Sequence, residues 1–406
     1  MLRKILFQAH WLVGITAGVI LGVVGTTGAI LAFETPIQNW LNRDVRTVVQ
    51  PGTAALSLDA LTEAVRKQAP GKRITSLQIS ADPTAAVRIV FAPDATANAS
   101  GRGPQRGETR YANPYTGELI AGEVNRGQGF FRTTRSIHRW LLIDQLDKQA
   151  VGRHIVGAAT LLCVGLTLSG IYLRWPRNPG KWRVWLTFNP KFKGRAFLWH
   201  LHAVLGTWVL IGFLLMSLTG LYWSYNWYRN GLYAISGEEA PAGRDQRREQ
   251  PRAERARESE AAPQPLALDA AWTNFKATLG DAQFTTATLA LEPGRPIEIR
   301  YLLAKSRHDR ANNTVQINPT TGEVLKHETY ASKRTGEKFM ASIFPLHSGS
   351  FFGVPGSLVY MIVSLAMPVF TFTGWMLYLD RRRRKRAASG AEAESLASGR
   401  APADAA

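Results

Sequence analysis

Apolar residues along the chain gather in four blocks separated by long mixed segments. Trp11 to Phe33, Ile155 to Leu173, Ala203 to Tyr228 and Val354 to Leu379 contain no Asp, Glu, Lys or Arg. Each approaches the roughly 20 residues that a helix needs to cross a hydrocarbon core about 30 Å thick. The pattern predicts spans within residues 1–33, 151–175, 200–228 and 351–380. The first block is too long for the apolar stretch of an ordinary signal peptide and lacks a small-x-small cleavage site, so it reads as an uncleaved anchor. Between the blocks the period changes. Leu58 to Gln68 and Leu268 to Leu279 have helical spacing. Ile74 to Ile79, Val87 to Phe91, Arg110 to Asn113, Phe284 to Leu291, Ile297 to Ala304 and Thr314 to Ile317 read as strands. The fold class predicted is an integral membrane α-helical four-span bundle with two α+β lobes, residues 34–150 and 229–350.

The halves of the chain repeat each other. His10-Trp-Leu-Val-Gly14 opens the first block, which reaches Thr27-Gly28; His202-Ala-Val-Leu-Gly206 opens the third, which reaches Thr219-Gly220. The second and fourth blocks end with small pairs, Ser169-Gly170 and Thr373-Gly374. Asn113-Pro-Tyr-Thr-Gly-Glu118 parallels Asn318-Pro-Thr-Thr-Gly-Glu323, a turn signature leading into Leu119-Ile120 and Val324-Leu325. Repetition at about 190 residues, each unit being span, lobe and span, predicts an internal duplication. Residues 237–265 are charged and Pro-rich and predict a disordered linker. Residues 93–109 read as a flexible loop, and the Ala/Ser/Gly-rich tail from Ala387 as disordered.

Charge adds direction. The 406 residues carry a formal net charge of +19. Such a balance is compatible with nucleic-acid binding, but the densest basic runs adjoin the apolar blocks. Arg3 and Lys4 precede the first; Arg174, Arg177, Lys181, Arg183, Lys191, Lys193 and Arg195 lie between the second and third; Arg381 to Arg386 follow the fourth. A four-span chain puts all three on one side, and positive charge marks that side as cytoplasmic. The loop 176–199, the tail 381–406 and both termini are then cytoplasmic, and the lobes periplasmic, in a bacterial inner membrane. Lipid is the expected surrounding and nucleic acid is not a partner. The lone cysteine, Cys163, leaves no internal disulfide, Cys-rich metal cluster or covalent c-type haem attachment available; it reads as a packing residue. No HExxH, phosphate loop or Ser-His-Asp set is evident, which argues against hydrolase and kinase chemistry.

Candidate chemistry rests on histidine. His10, His200 and His202 lie at the basic ends of the blocks, and His138, His154 and His347 near the other ends; His308 and His327 fall in the second lobe and read as solvated. Ionisable residues within spans usually face the bundle interior and mark function. Imidazole ligates haem iron, and bundles place cofactor ligands on facing helices. His10 and His202 occupy the same repeat position and form the preferred inner pair. Gly14 and Gly206, one turn along, share their helix face and leave room for a porphyrin. His200 is the alternative, but two residues along a helix point about 200° apart. His138 and His347 form the preferred outer pair, with His154 the competitor. Arg139, Arg153 and the basic run are candidate partners for haem propionates. The haem so held would be of the b type, two per chain.

These motifs together resemble the PepSY-associated transmembrane family over roughly residues 1–385: His-Trp-Leu-x-Gly at the start, Leu-His-Ala-Val-Leu-Gly in the third block, Leu-His-Ser-Gly-x-x-x-Gly before the fourth, and the paired Asn-Pro-x-Thr-Gly-Glu turns. Some relatives are iron-regulated inner-membrane proteins, among them di-haem ferrisiderophore reductases. The resemblance implies PepSY-like lobes and transfer of electrons to a ferric siderophore in the periplasm. Some relatives carry a fused flavin domain; this chain lacks one, which implies an external donor, either quinol or a separate reductase. A different reading, also carried by the resemblance, is a non-enzymatic membrane protein whose lobes bind or inhibit a periplasmic protease or sensor.

Overall fold

The computed structural model describes residues 1–49, 54–93, 107–122, 124–143, 149–241 and 266–397. The chain begins with α1 (Leu2–Leu31), the short α2 (Glu34–Leu41) and α3 (Arg43–Arg46), then α4 (Leu58–Gln68), β1 (Ile74–Ser80), β2 (Val87–Phe91) and β3 (Thr109–Ala112). It continues with α5 (Gln128–Trp140), α6 (Gln149–Arg174), α7 (Trp182–Leu186), α8 (Gly194–Trp208), α9 (Leu210–Ser224) and α10 (Asn226–Ser236). The second half adds α11 (Leu268–Leu279), β4 (Phe284–Ala290), β5 (Ile297–Leu303), β6 (Asn313–Ile317), β7 (Val324–Glu328), α12 (Thr335–Ser348), a 3-10 turn (Ser350–Phe352) and α13 (Gly353–Ala397).

Among the described residues, α1, α6 and α13 are each long and apolar enough to cross a membrane, and α8 with α9 qualify as one pair bent by 62°. These helices expose Leu12, Val19, Leu161, Leu168, Ile211, Ile362 and Phe372. An apolar outer surface on helices that satisfy their own backbone is what lipid requires. Inside the bundle, small residues bring backbones together. A Cβ on Gly25 would lie 2.7 Å from the carbonyl oxygen of Ser364, and one on Gly22 would lie 2.9 Å from Thr371 Oγ1. Thr371 Oγ1 donates across this contact to the carbonyl of Gly18 at 2.7 Å. The oxygen that meets Gly25 belongs to the residue four before Pro368, whose missing N–H leaves it without its helical partner.

The third apolar block is predicted as one helix but breaks at Val209. No proline causes it. The Arg174 guanidinium inserts beside α8, donating to the carbonyl of Ala203 and to Thr207 Oγ1, and Trp208 Nε1 donates to the carbonyl of Leu186 at 3.1 Å. The next helix instead packs Gly212 on Val363, where a Cβ would approach to 2.9 Å. Different neighbours thus anchor the two pieces on either side of the break.

Outside the bundle, all strands form one antiparallel sheet of order β3-β2-β1-β4-β5-β6-β7. The two lobes read from sequence are therefore joined edge to edge. β1 pairs with β4 from Ser76 opposite Ala290 to Ser80 opposite Thr286, which removes one open edge from each half. α4 and α11 cover one face, with Leu61, Val65, Ala271 and Phe275 buried against Leu77, Ile89, Leu289, Ile299 and Val315. The turn signatures behave alike. Asn113 Oδ1 accepts from Tyr115 N, and Asn318 Oδ1 from Thr320 N, each at 2.9 Å; Gly117 and Gly322 take φ +72° and +75°. The fourth strand forms only in the second half, as β7; Leu119 makes a single bridge to Ala112.

Two further expectations change. The tail from Ala387, read as disordered, is helical as far as Ala397; its alanines and glutamates favour helix once α13 has nucleated it. His308, read as solvated, is 5% exposed and stacks on Phe351. Its Nδ1 accepts from Arg310 N at 3.2 Å, and its Nε2 lies 3.1 Å from Tyr330 Oη. Most of the loop 93–109 and of the linker 237–265 lies outside the described residues.

The start of α4 and the start of α11 cap each other. Asp59 accepts from the backbone of Leu268 and Asp269 at 3.3 and 3.2 Å, and Asp269 accepts from Asp59 N at 3.2 Å. Asp59→Ala removes acceptors for two helix-end amides and is expected to destabilise the sheet lobe by about 1–2 kcal/mol, with Asp59→Asn recovering most of it. Urea unfolding of the detergent-solubilised protein, followed by protease resistance of the lobe, measures this.

Candidate functional site: two histidine pairs inside the helical bundle

The structure brings four of the histidines together as two pairs. The rings of His10 and His202 lie 6.4 Å apart, centroid to centroid, with planes at 73°. Those of His138 and His347 lie 6.3 Å apart at 61°. Thr27, a partner of His138, is 17 residues beyond His10 on α1, so the pairs are separated by about 25 Å along that helix.

Each imidazole is fixed by the same local device. His10 Nδ1 lies 2.9 Å from Ser169 Oγ, and His202 Nδ1 lies 2.8 Å from Thr373 Oγ1. These hydroxyls donate their own protons back along their helices, to the carbonyls of Leu166 and Val369. They are then left to accept, so Nδ1 must carry the proton. In the other pair the partners include bare carbonyls, which can only accept. His138 Nδ1 reaches the carbonyl of Val24 at 3.0 Å and Thr27 Oγ1 at 3.2 Å. His347 Nδ1 reaches the carbonyl of Met216 at 3.0 Å and Thr219 Oγ1 at 3.1 Å. All four rings are driven to the Nδ1–H tautomer, which leaves Nε2 with its lone pair. A second-sphere acceptor on one nitrogen is how proteins orient an imidazole that binds metal through the other.

A glycine follows every one of the four hydroxyl residues, and at Gly28 and Gly220 its role is steric. A Cβ on Gly28 would lie 3.2 Å from His138 Cε1, and one on Gly220 would lie 3.1 Å from His347 Cε1. At Gly170 and Gly374 the corresponding distances to His10 and His202 are 3.4 and 4.0 Å. The small pairs visible in the sequence are thus seats for the rings, a function that spacing alone did not disclose. Their signal was the recurrence of Ser/Thr-Gly in the apolar blocks, once for each of the four preferred histidines.

The competing histidines are placed elsewhere. His154 is exposed and lies against Tyr225 at 5.8 Å. His200 stacks on Phe188, and its Nε2 accepts from Asn189 N at 3.0 Å, so that lone pair is already committed. Neither joins a pair. Cys163 is buried with Leu21 and Ala159.

Around His10 and His202 the bundle opens into a cavity of about 800 Å³. Gly14, Gly206, Gly170 and Gly374 line it, so side chains at those positions would take up part of the space. Arg3, Lys4, Arg174, Arg195 and Arg381 also line it, with no Asp or Glu among the lining residues. Trp11 Nε1 in the same wall is buried without a hydrogen-bond partner. The cavity therefore suits a large, mainly apolar group bearing carboxylates. The ring spacing suits one too: imidazoles on opposite sides of one metal ion, each about 2 Å from it, have centroids about 6 Å apart. Among the described residues no cluster of three His, Cys, Asp or Glu side chains is assembled; each site is a pair of imidazoles.

Nitrogen-15 NMR of the histidine-labelled, cofactor-free protein should show Nδ1-protonated, Nε2-unprotonated shifts for His10, His138, His202 and His347. Thr373→Val should remove that signature from His202 alone. An averaged tautomer at His202 in the unmutated protein would contradict the assignment.

Comparison with curated proteins finds no match for the chain. Residues 7–381 match the model of the family described as the PepSY-associated TM region, and the chain belongs to that family.

Proposed function

We propose that the protein is a haem b electron carrier of the inner membrane that reduces a periplasmic ferric chelate, such as a ferric siderophore. The observation that carries this reading is the pair of imidazole pairs, each with Nδ1 engaged by a neighbouring helix and Nε2 left as the available donor. His10 with His202, and His138 with His347, would each hold one haem, which supplies a one-electron Fe(III)/Fe(II) couple when bound. The residues around them do the protein's share of the work: they orient the ligands, exclude water and set the local charge. Arg3, Lys4 and Arg381, with the orphaned Trp11 Nε1, are the groups available to propionates at the inner site, while Arg195 already pairs with Asp380. Fe(II) binds hard oxygen ligands less tightly than Fe(III), so reduction would release the iron.

The same reading takes the bent pair α8–α9 as one span, which makes four, and takes the matching halves as an internal duplication. Both rest on the repeated sequence and on the matching bonds of the histidines. Positive charge at one end of the bundle supports cytoplasmic termini and a periplasmic sheet. Electrons would enter near His10 and His202 from quinol or a separate reductase.

A dithionite-reduced minus oxidised spectrum of the purified protein should show a b-type Soret band and α band at about two haems per chain. His202→Ala and His347→Ala should each lose about one. His154→Ala and His200→Ala should retain both. A colourless protein, or one whose haem content ignores His202→Ala and His347→Ala, would refute the reading and favour a lobe that only binds a periplasmic protein.

A further inference from the structure

The surroundings of the histidines match between the two halves in hydrogen bonding but not in side-chain chemistry. Phe370, three residues before Thr373, meets the His202 ring at 4.9 Å, and Phe213 meets Phe370 at 5.6 Å. At the matching places in the first half, three before Ser169 and three before Val24, stand Leu166 and Leu21. Met216, whose carbonyl binds His347, corresponds to Val24. Trp223, four residues after Thr219, packs on His347 at 5.3 Å; four after Thr27 stands Leu31. Aromatic and sulfur groups are thus concentrated on the second-half side, where the first half has aliphatic ones.

The asymmetry continues to the surface. Trp223 contacts Phe344 at 6.2 Å, edge to face, and Phe344 is 39% exposed. The Arg310 guanidinium lies over the Phe344 ring, 4.8 Å from its centroid. Arg310 is exposed, and among the described residues no carboxylate pairs with it. Its loop, between β5 and β6, also exposes Lys305 and Arg307, and its one acid, Asp309, accepts from Ser350 Oγ. The matching position in the first half, three before His138, is Arg135, which is tied to Glu34. Among the described residues that side offers no comparable line of rings from imidazole to solvent.

We propose that electrons leave the His138–His347 site through Trp223 and Phe344, and that the acceptor docks over Phe344 as an anionic ferric chelate held by Arg310. The inference rests on the haem reading above and goes further by giving its exit and the charge class of its substrate. Tunnelling weakens steeply with distance, so a buried carrier discharges where the path to solvent is shortest and most polarisable. A cation over an aromatic face recognises negative charge while keeping the ring in contact range. The step is balanced: one electron passes from the reduced protein to the chelated Fe(III), giving Fe(II), and no atom is transferred. A role for Phe344 as an interfacial anchor alone is the alternative outcome.

The test uses full-length, haem-loaded protein in detergent, reduced with dithionite, desalted, and mixed in a stopped flow with Fe(III)–EDTA, which is anionic, or with a cationic ferric chelate. Trp223→Leu should slow re-oxidation by both chelates several-fold, and Trp223→Phe should recover part of the rate, with haem content unchanged. Arg310→Gln should slow re-oxidation by Fe(III)–EDTA about ten-fold at low ionic strength and leave the cationic chelate unaffected. Independently of turnover, equilibrium dialysis should detect binding of redox-inert Ga(III)–EDTA to the cofactor-free protein and its loss in Arg310→Gln. Arg310 is on an exposed loop, so its variant remains informative if Trp223→Leu misfolds. Normal rates in both variants, with unchanged gallium binding, would overturn the exit and identify Phe344 as an anchor. A protein without haem, or one that no ferric chelate re-oxidises, would overturn the parent reading and this one with it.

Discussion

The bond from each histidine Nδ1 to a hydroxyl or carbonyl on a neighbouring helix is the constraint on which the rest of the bundle depends. It crosses between elements: α1 to α6, α5 to α1, α8 to α13 and α12 to α9. In a membrane interior an unpaired imidazole N–H costs free energy, and a hydroxyl already satisfied by its own helix is a ready acceptor. The device therefore fixes three things together: which helices are neighbours, the depth at which the rings meet, and which nitrogen keeps its lone pair. Gly28 and Gly220 follow from it, because the rings of His138 and His347 are held so close that a side chain there would crowd them.

Packing of the remaining bundle serves the same geometry. Where α1 and α13 pack closely, Gly18, Leu21, Met367 and Thr371 form one wall of the inner cavity. The Arg174 cluster and the break at Val209 tilt α8 while α9 keeps Met216 and Thr219 against His347. The sheet and its two helices form a separate core, joined through the β1–β4 seam and the reciprocal Asp59 and Asp269 caps. That seam turns two marginal half-sheets into one body, since a few short strands with one covered face gain stability by pairing edges.

Much of this was legible in the chain, for identifiable reasons. Strand periods and the two lobe helices were located to within a residue or two, because burial imposes those periods directly; the apolar runs located only the middles of the long helices, which extend past them to Leu2, Gln149 and Ala397. His10 with His202, and His138 with His347, could be paired from repeat position, since equivalent positions in equivalent helices lie at equal depth. What sequence spacing could not supply was contact between elements. The union of the lobes depends on which edges meet, and nothing local encodes that. The bend at Val209 separates a piece held by Arg174, 35 residues earlier, from one packed on Val363, and neither contact is visible in the local sequence. His308 was misread because its burial comes from Phe351 and Tyr330, far along the chain. Ser169-Gly170 and its three counterparts were visible as small pairs, but their purpose needs the ring that rests on them.

Electron paramagnetic resonance of the oxidised protein bears most directly on the account. Two imidazole-ligated sites predict two low-spin ferric signals of bis-nitrogen type, with one lost in a His10→Ala, His202→Ala double variant and the other in a His138→Ala, His347→Ala double variant. A single signal, or a high-spin spectrum in the unmutated protein, would show that the paired rings do not close on iron.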